Sequence, residues 1–190
     1  MAAFLIKSII PGVRDCSWFK ANSRTQEFVF VVDPLYVRNA LEFLKKNSFF
    51  QAKVLSDIAG VDLLSIKNPS PIFSSVNSRF CVVYILRSFL FNVNFRVIVP
   101  VDPEKIEIPS VIDIYSSAGW FECEVFEFFG ISFVGNYDLH RLLTDYGFEG
   151  NPLRKDFPLS GYSEVSYNYS NKRVVHTPFV ELSQVKGFKL

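Results

Sequence analysis

The 190-residue sequence predicts an α+β fold: a mostly antiparallel sheet with helices packed on one face, plus an extended C-terminal tail. Three observations carry this. Apolar, β-branched and aromatic runs at 27–32, 79–88 and 92–101 have the composition of strands. Two of them are close enough to form a hairpin. Apolar residues recur at helical spacing over 35–46 and 110–130. The order strand, helix, strands, hairpin, helices is that of an α+β domain, placed here at residues 1–160, with 161–190 as the tail.

Taken in order, Met1–Gly12 reads as a short amphipathic helix ended by Pro11-Gly12. Lys7, Arg14, Lys20 and Arg24 against Asp15 alone also give residues 1–24 a faint likeness to a mitochondrial transit peptide. Glu27–Val32 is a buried strand bounded by Asp33-Pro34. Asp33 suits an N-cap and Pro34 the first helical position. The helix from Leu35 to Lys46 places Val37, Leu41 and Leu44 on one stripe, with Lys45-Lys46 in the last turn, where the helix dipole favours cations. The stretch 49–64 is ambiguous. It reads as a strand around Ala52–Leu55, a turn at Ala59-Gly60, and a second short strand. Residues 66–78, with Pro69, Pro71 and four serines, form a loop. Arg79–Ser88 and Asn92–Val101 form a hairpin around Phe89–Phe91. In its second strand Val93, Phe95, Val97 and Val99 alternate with Asn94, Arg96 and Ile98, which predicts one wetter face. Ser110 opens a helical stretch that Gly119 divides in two. A short helix over 138–143 and a tail hairpin, Glu164–Tyr169 with Arg173–His176, complete the elements.

Composition excludes several classes. A net charge of +1 gives no field for nucleic acid or an anionic membrane. From Asp102 to Glu127 seven acids face one base, so this block is set to pair with the later Arg-Lys cluster or with another chain. The three cysteines, Cys16, Cys81 and Cys123, are dispersed and form no CxxC, which argues against a cluster or zinc site built by this chain alone. A reducing compartment follows. No run reaches the ~18 apolar residues of a membrane span, and no glycine-rich phosphate loop is present. Hydrophobic content is 49%, and 21 residues are Phe, an excess that fits burial against partners or a codon bias.

The unusual side chains concentrate between Trp120 and Gly161. On a helical wheel Glu124 and Glu127 are near neighbours and Glu122 lies apart from both. Three readings stand for the pair: a solvated face, acceptors for Arg141, Arg154 or Lys155, or a metal or acid/base pair. His140 reads as a surface residue of the short helix, and His176 as a bland tail residue. The run Asn151-Pro152-Leu153-Arg154-Lys155-Asp156 reads as a rigid turn presenting a bidentate Arg, with Arg154 in a buried paired contact. Tyr162, Tyr167, Tyr169, Phe179, Leu182 and Phe188 make the tail a binding arm.

Glu122, Glu124, Glu127, Gly130, Ile131 and Phe133, then Asp138, Leu139, Arg141 and Leu143, then Gly150 and the run from Pro152 through Leu153, Arg154, Lys155, Asp156 and Phe157 to Pro158-Leu159, together resemble a family signature. It is that of the thirty-kilodalton subunit of respiratory complex I, the NuoC-like family, called NADH dehydrogenase subunit 9 where mitochondria encode it. The chain departs from the family pattern with Cys123 for an Arg, Glu127 for an Asp, Tyr137 for a Pro and His140 for an Arg. The resemblance implies a structural subunit of the peripheral arm of NADH:ubiquinone oxidoreductase. It implies no catalytic residue and no flavin, iron–sulfur cluster, metal or quinone held by this chain. The partner it implies is the large hydrogenase-like subunit at the quinone site. The location implied is the matrix side of the mitochondrial inner membrane, or the cytoplasmic face in bacteria. Two other readings stay open: a subunit of a related membrane-bound hydrogenase, and a small hydrolase using Glu124 and Glu127.

Overall fold

The computed structural model describes residues 12–22, 25–64, 73, 76, 78–102 and 104–178. The expected first helix at 1–11 lies outside these residues, as do most of the 66–78 loop and the last tail residues, 179–190. A five-stranded sheet is built from β1 (Val13–Asn22), β2 (Thr25–Val32), β3 (Val54–Asp62), β4 (Phe80–Ser88) and β5 (Val93–Pro100), in the order β1-β2-β5-β4-β3. All pairings are antiparallel except β2–β5, which runs parallel with Phe28 opposite Phe95. Helices α1 (Val37–Lys46) and α2 (Ala118–Phe129) supply apolar residues to the same sheet-face core, and the fold is α+β.

Strand alternation sorts the core. Phe30, Val32, Val82, Tyr84, Leu86, Phe95, Val97 and Val99 face the helices, while Val29, Val31, Cys81, Val83 and Ile98 form a smaller cluster on the other face. The Phe95 ring is the centre of the helix side, with Phe28, Phe30 and Phe50 at 5.8, 6.4 and 5.7 Å. The expected wetter face of β5 is confined to Asn94 and Arg96. From Val97 to Pro100 the strand is buried on both sides, because Val76 and Phe73 pack over the second cluster.

Four expectations are corrected and one strand is new. Residues 13–22 form an edge strand of the sheet. Arg14 in it pairs with Asp33. Asp33 makes no side-chain cap; its carboxylate is taken by Arg14, a 3-10 turn occupies Pro34–Tyr36, and α1 starts at Val37. No turn breaks 49–64: β3 runs straight through Ala59-Gly60. Gly60 is there for closeness, since a Cβ would stand 2.4 Å from Cδ2 of Phe129, whose ring covers the strand. Gly60→Ala is therefore expected to cost about 2 kcal/mol by overpacking, read as a fall in urea midpoint; an unchanged midpoint would refute the close approach.

The helix expected from Ser110 starts only at Ala118. Glu107–Pro109 is instead β6, parallel to β7 (Ser132–Val134), and Gly119 sits in the first turn of α2. The helix over 138–143 is absent, for a reason that belongs to the site. The tail hairpin is present as β8 (Ser163–Asn168) and β9 (Arg173–Pro178).

Candidate functional site

Helix α2 carries three carboxylates, and the fold sends them to three environments. Glu122 and Glu127 are fully buried at 0% exposure, whereas Glu124 is exposed. The wheel pairing of Glu124 with Glu127 is therefore not a site: one faces solvent and the other is enclosed. Among the described residues no salt bridge reaches Glu127, contrary to the pairing with Arg141, Arg154 or Lys155 expected for it and Glu124.

Glu127 is held by main chain. Its Oε2 accepts the N–H groups of Leu142 and Leu143 at 2.8 and 2.9 Å, and Oε1 accepts that of Thr144. These donors would otherwise need helical carbonyls, which is why 138–143 stays irregular. Burial raises the Glu127 pKa, but hydrogen bonds from Thr144, Leu143 and Leu142 outweigh it and bring the value down to about 2. Glu122 joins different segments. It accepts Ser110 Oγ at 2.7 Å, the Val111 N–H at 2.8 Å and Asn136 Nδ2 at 2.9 Å. Those bonds turn the chain at 110–111 and delay the start of α2. Here burial wins, and the pKa is raised despite Val111, Ser110 and Asn136. The Tyr84 hydroxyl is buried with no hydrogen-bond partner among the described residues. Burial and the Glu122 charge hold it well above the usual phenol range. Tyr84→Phe should accordingly be neutral or stabilising by up to ~1 kcal/mol; a loss above that in thermal unfolding would reveal a bond to the hydroxyl.

The Gly150–Pro158 run closes the other end of α2. Gly130, the left-handed C-cap, donates to Phe126 O. The next three carbonyls, which a helix end leaves without partners, are then answered in turn. Asn151 Nδ2 donates to Glu127 O (2.9 Å), the Leu153 N–H to Phe128 O (3.2 Å), and Arg154 Nε to Phe129 O (2.6 Å). Arg154 thus caps a helix C-terminus, where the dipole favours a cation. Among the described residues it makes no bidentate carboxylate pair, and its guanidinium lies 5.1 Å over the Phe80 ring. Gly130 leaves room for it, since a Cβ there would meet Arg154 Nη2 at 2.4 Å. Gly150, at φ +102°, keeps a Cβ off the Phe157 ring. Lys155 contributes its backbone N–H to Asp62 Oδ2 at 3.0 Å, and Asp156 pairs with Arg79 at 2.8 Å. Arg141 donates to Gly150 O, Phe133 is core, and the Asp138 carbonyl accepts the Cys123 thiol. Pro152 and Pro158 are half-buried in the turns, and Leu153 is half exposed.

Sequence reasoning overlooked Asp62 and Arg79. Asp62, 3% exposed, receives Arg79 through Nε and Nη2 (3.2 and 3.1 Å) as well as the Leu64 and Lys155 N–H groups. Burial raises its pKa, yet Arg79, Lys155 and Leu64 together lower it. The only signal was a lone acid inside an apolar run, VDLL. Among the described residues no group of three or more His, Cys, Asp or Glu is placed to hold a metal. His140 and His176 are exposed. Cys16, Cys81 and Cys123 sit on β1, β4 and α2, and burial pushes the Cys81 thiol up to about 12. An apolar cleft of ≈ 730 Å³ beside Leu35, Ile108 and Val134 contains none of the signature residues.

The chain has relatives of known identity. The family described as respiratory-chain NADH dehydrogenase, 30 Kd subunit, matches residues 30–163, which enclose every signature residue. The chain belongs to this family. It is 45% identical over 168 residues to NADH dehydrogenase [ubiquinone] iron-sulfur protein 3 of Arabidopsis thaliana, covering 88% of this chain and 82% of that protein. It is 43% identical over 157 residues to a subunit of the NADH-quinone oxidoreductase of Ruegeria sp. (strain TM1040), covering 83% of this chain and 73% of that protein. A trypsin-resistant fragment of Nqo5 shares the fold with a TM-score of 0.53 and 28% identity, over 65% of this chain and 89% of that one. In this chain two buried carboxylates and a capping loop tie helix α2 to its surroundings. The family match ends at the first residue of β8, so the hairpin falls almost wholly beyond it.

Proposed function

We propose that this 30 kDa-family chain is a non-catalytic assembly subunit of the peripheral, quinone-reducing arm of NADH:ubiquinone oxidoreductase. It binds the large hydrogenase-like subunit and holds no flavin, cluster or quinone itself. FMN, iron–sulfur clusters and ubiquinone belong to its neighbours, and its place is the matrix side of the inner mitochondrial membrane. The two buried acids support this reading, because both oxygens of each are already committed to hydrogen bonds. The family relationship supports the respiratory context.

The observation that carries the partner-binding role is the β8–β9 hairpin. Every residue of β8 is exposed, and Val165, Tyr167 and Val174 project on one face, with Tyr169 85% exposed at its end. A lone two-stranded hairpin is marginal in water, and aromatic side chains in this density are those of an interface. Residues 161–190 thus act as a partner-binding arm appended to the 1–160 domain. The test is deletion of 162–190 in the organism's own complex. The expected result is loss of the chain from the complex on a native gel, with the thermal midpoint of the truncated chain close to that of the full one. Full incorporation of the truncated chain would overturn the arm.

A further inference from the structure

Hairpin turns favour Asn, Asp and Gly, which adopt the backbone that a tight reversal requires. The turn between β4 and β5 is instead Phe89-Leu90-Phe91-Asn92, and only Asn92 takes a positive φ, +50°. Phe89, Leu90 and Phe91 are 69, 67 and 48% exposed. Phe49, 82% exposed, stands at the same end of the sheet, because its loop leads into Val54, which is paired with Arg87. Three consecutive exposed large apolar side chains in one turn, with a fourth in the loop that leads to the neighbouring strand, are not the scatter expected of a free surface.

The turn is fixed by its own contacts. The Arg87 guanidinium lies 5.4 Å from the Phe89 ring centroid, and its Nη2 donates to Asn92 Oδ1 at 3.3 Å. Along the flanking strands the nearest acids are Asp57, opposite Ile85, and Glu27, which pairs with Arg96. Lys46 is answered by Glu42, and Lys45 points to the Ile114 carbonyl and the Tyr115 ring. Lys53 and Arg87 remain as exposed cations, and neither the turn nor the 47–53 loop contains an acid. The signature loop lies at the opposite end of β4, where Arg154 covers Phe80; the nine residues of that strand span about 27 Å.

We propose that this tip is a second docking point, in which Phe89, Leu90, Phe91 and Phe49 enter an apolar pocket on a neighbouring protein chain, rimmed by carboxylates that meet Arg87 and Lys53. The proposal rests on the subunit reading but uses a surface remote from the signature loop. A lipid surface is disfavoured: two exposed cations add only about 1 kcal/mol each there, and the tip has no Trp or Tyr to sit at a membrane interface. A turn ordered by its own side chains loses little entropy on entering a shaped pocket, and buried aromatic anchors are what dominate such contacts.

The experiment places photoreactive benzoylphenylalanine at position 90, and in a second variant at position 49, and irradiates the assembled complex. Co-migration of the wild-type chain with that complex is scored first and separately, since its failure would remove the subunit reading itself. The tip proposal expects a crosslink to another protein chain at a peptide containing apolar residues and Asp or Glu. The yield should fall about fivefold when Arg87→Glu and Lys53→Glu are combined, as two rim ion pairs of ordinary strength imply. Crosslinks to lipid alone, to this chain alone, or to a protein peptide with yield indifferent to the charge reversal would each overturn it.

Discussion

Glu127→Ala is expected to lower the unfolding free energy by about 3 kcal/mol, the largest loss at any one signature position. The substitution leaves the N–H groups of Leu142, Leu143 and Thr144 without their acceptor in a part-buried setting, and each stranded donor costs about 1 kcal/mol or more. Urea midpoints at neutral pH test the magnitude. Hydrogen exchange at those three amides tests the cause, and protection equal to wild type would refute it. Acidity gives an independent check. The folded-state pKa, about 2, lies below the unfolded value of about 4.3, so this carboxylate's contribution is present above about pH 4.3. It is lost as pH falls towards 2. A Glu127→Gln chain should lack that acid limb. Glu122 has the opposite sign: its raised pKa means that its contribution is greatest when protonated and declines as pH rises.

Asp62→Ala is expected to cost nearly as much, again about 3 kcal/mol, because it leaves the amides of Leu64 and Lys155 without their acceptor and Arg79 with the exposed Asp156 alone. The other acid on Arg79 provides the contrast. Asp156 is half exposed, so Asp156→Ala should change stability by under about 1 kcal/mol. Equal losses for the two variants would show that the ion pair with Asp156, rather than the buried acceptor at Asp62, holds the signature loop. The Asp62 variant should also speed exchange at the Lys155 amide, 93 positions away in sequence.

Features with local causes were legible in the sequence. The β4–β5 hairpin, helix α1 and the tail hairpin all follow from periodicity, dipole and strand composition within a few residues. Long-range features were not. β3 reads as two short strands because Gly60 resembles a turn, whereas the glycine answers Phe129 from a helix nearly seventy positions later. Ser110–Ser117 reads as helix because the carboxylate that diverts Ser110 and Val111 sits at Glu122. The wheel grouped Glu124 with Glu127 but had no means of knowing that the 142–144 backbone would enclose one and leave the other in solvent. The charges of 102–127 and 141–155 suggest opposite-sign pairing; in the fold the buried acids prefer amides, and Arg154 prefers a carbonyl.

The central claim is that the signature carboxylates hold the chain together and take no part in turnover. NADH:ubiquinone reductase activity, normalised to assembled complex on native gels, tests this most directly in Glu122→Gln and Glu127→Gln. Assembly is predicted to fall for Glu127→Gln, with turnover per assembled complex unchanged in both variants. Wild-type assembly with turnover abolished would contradict the account.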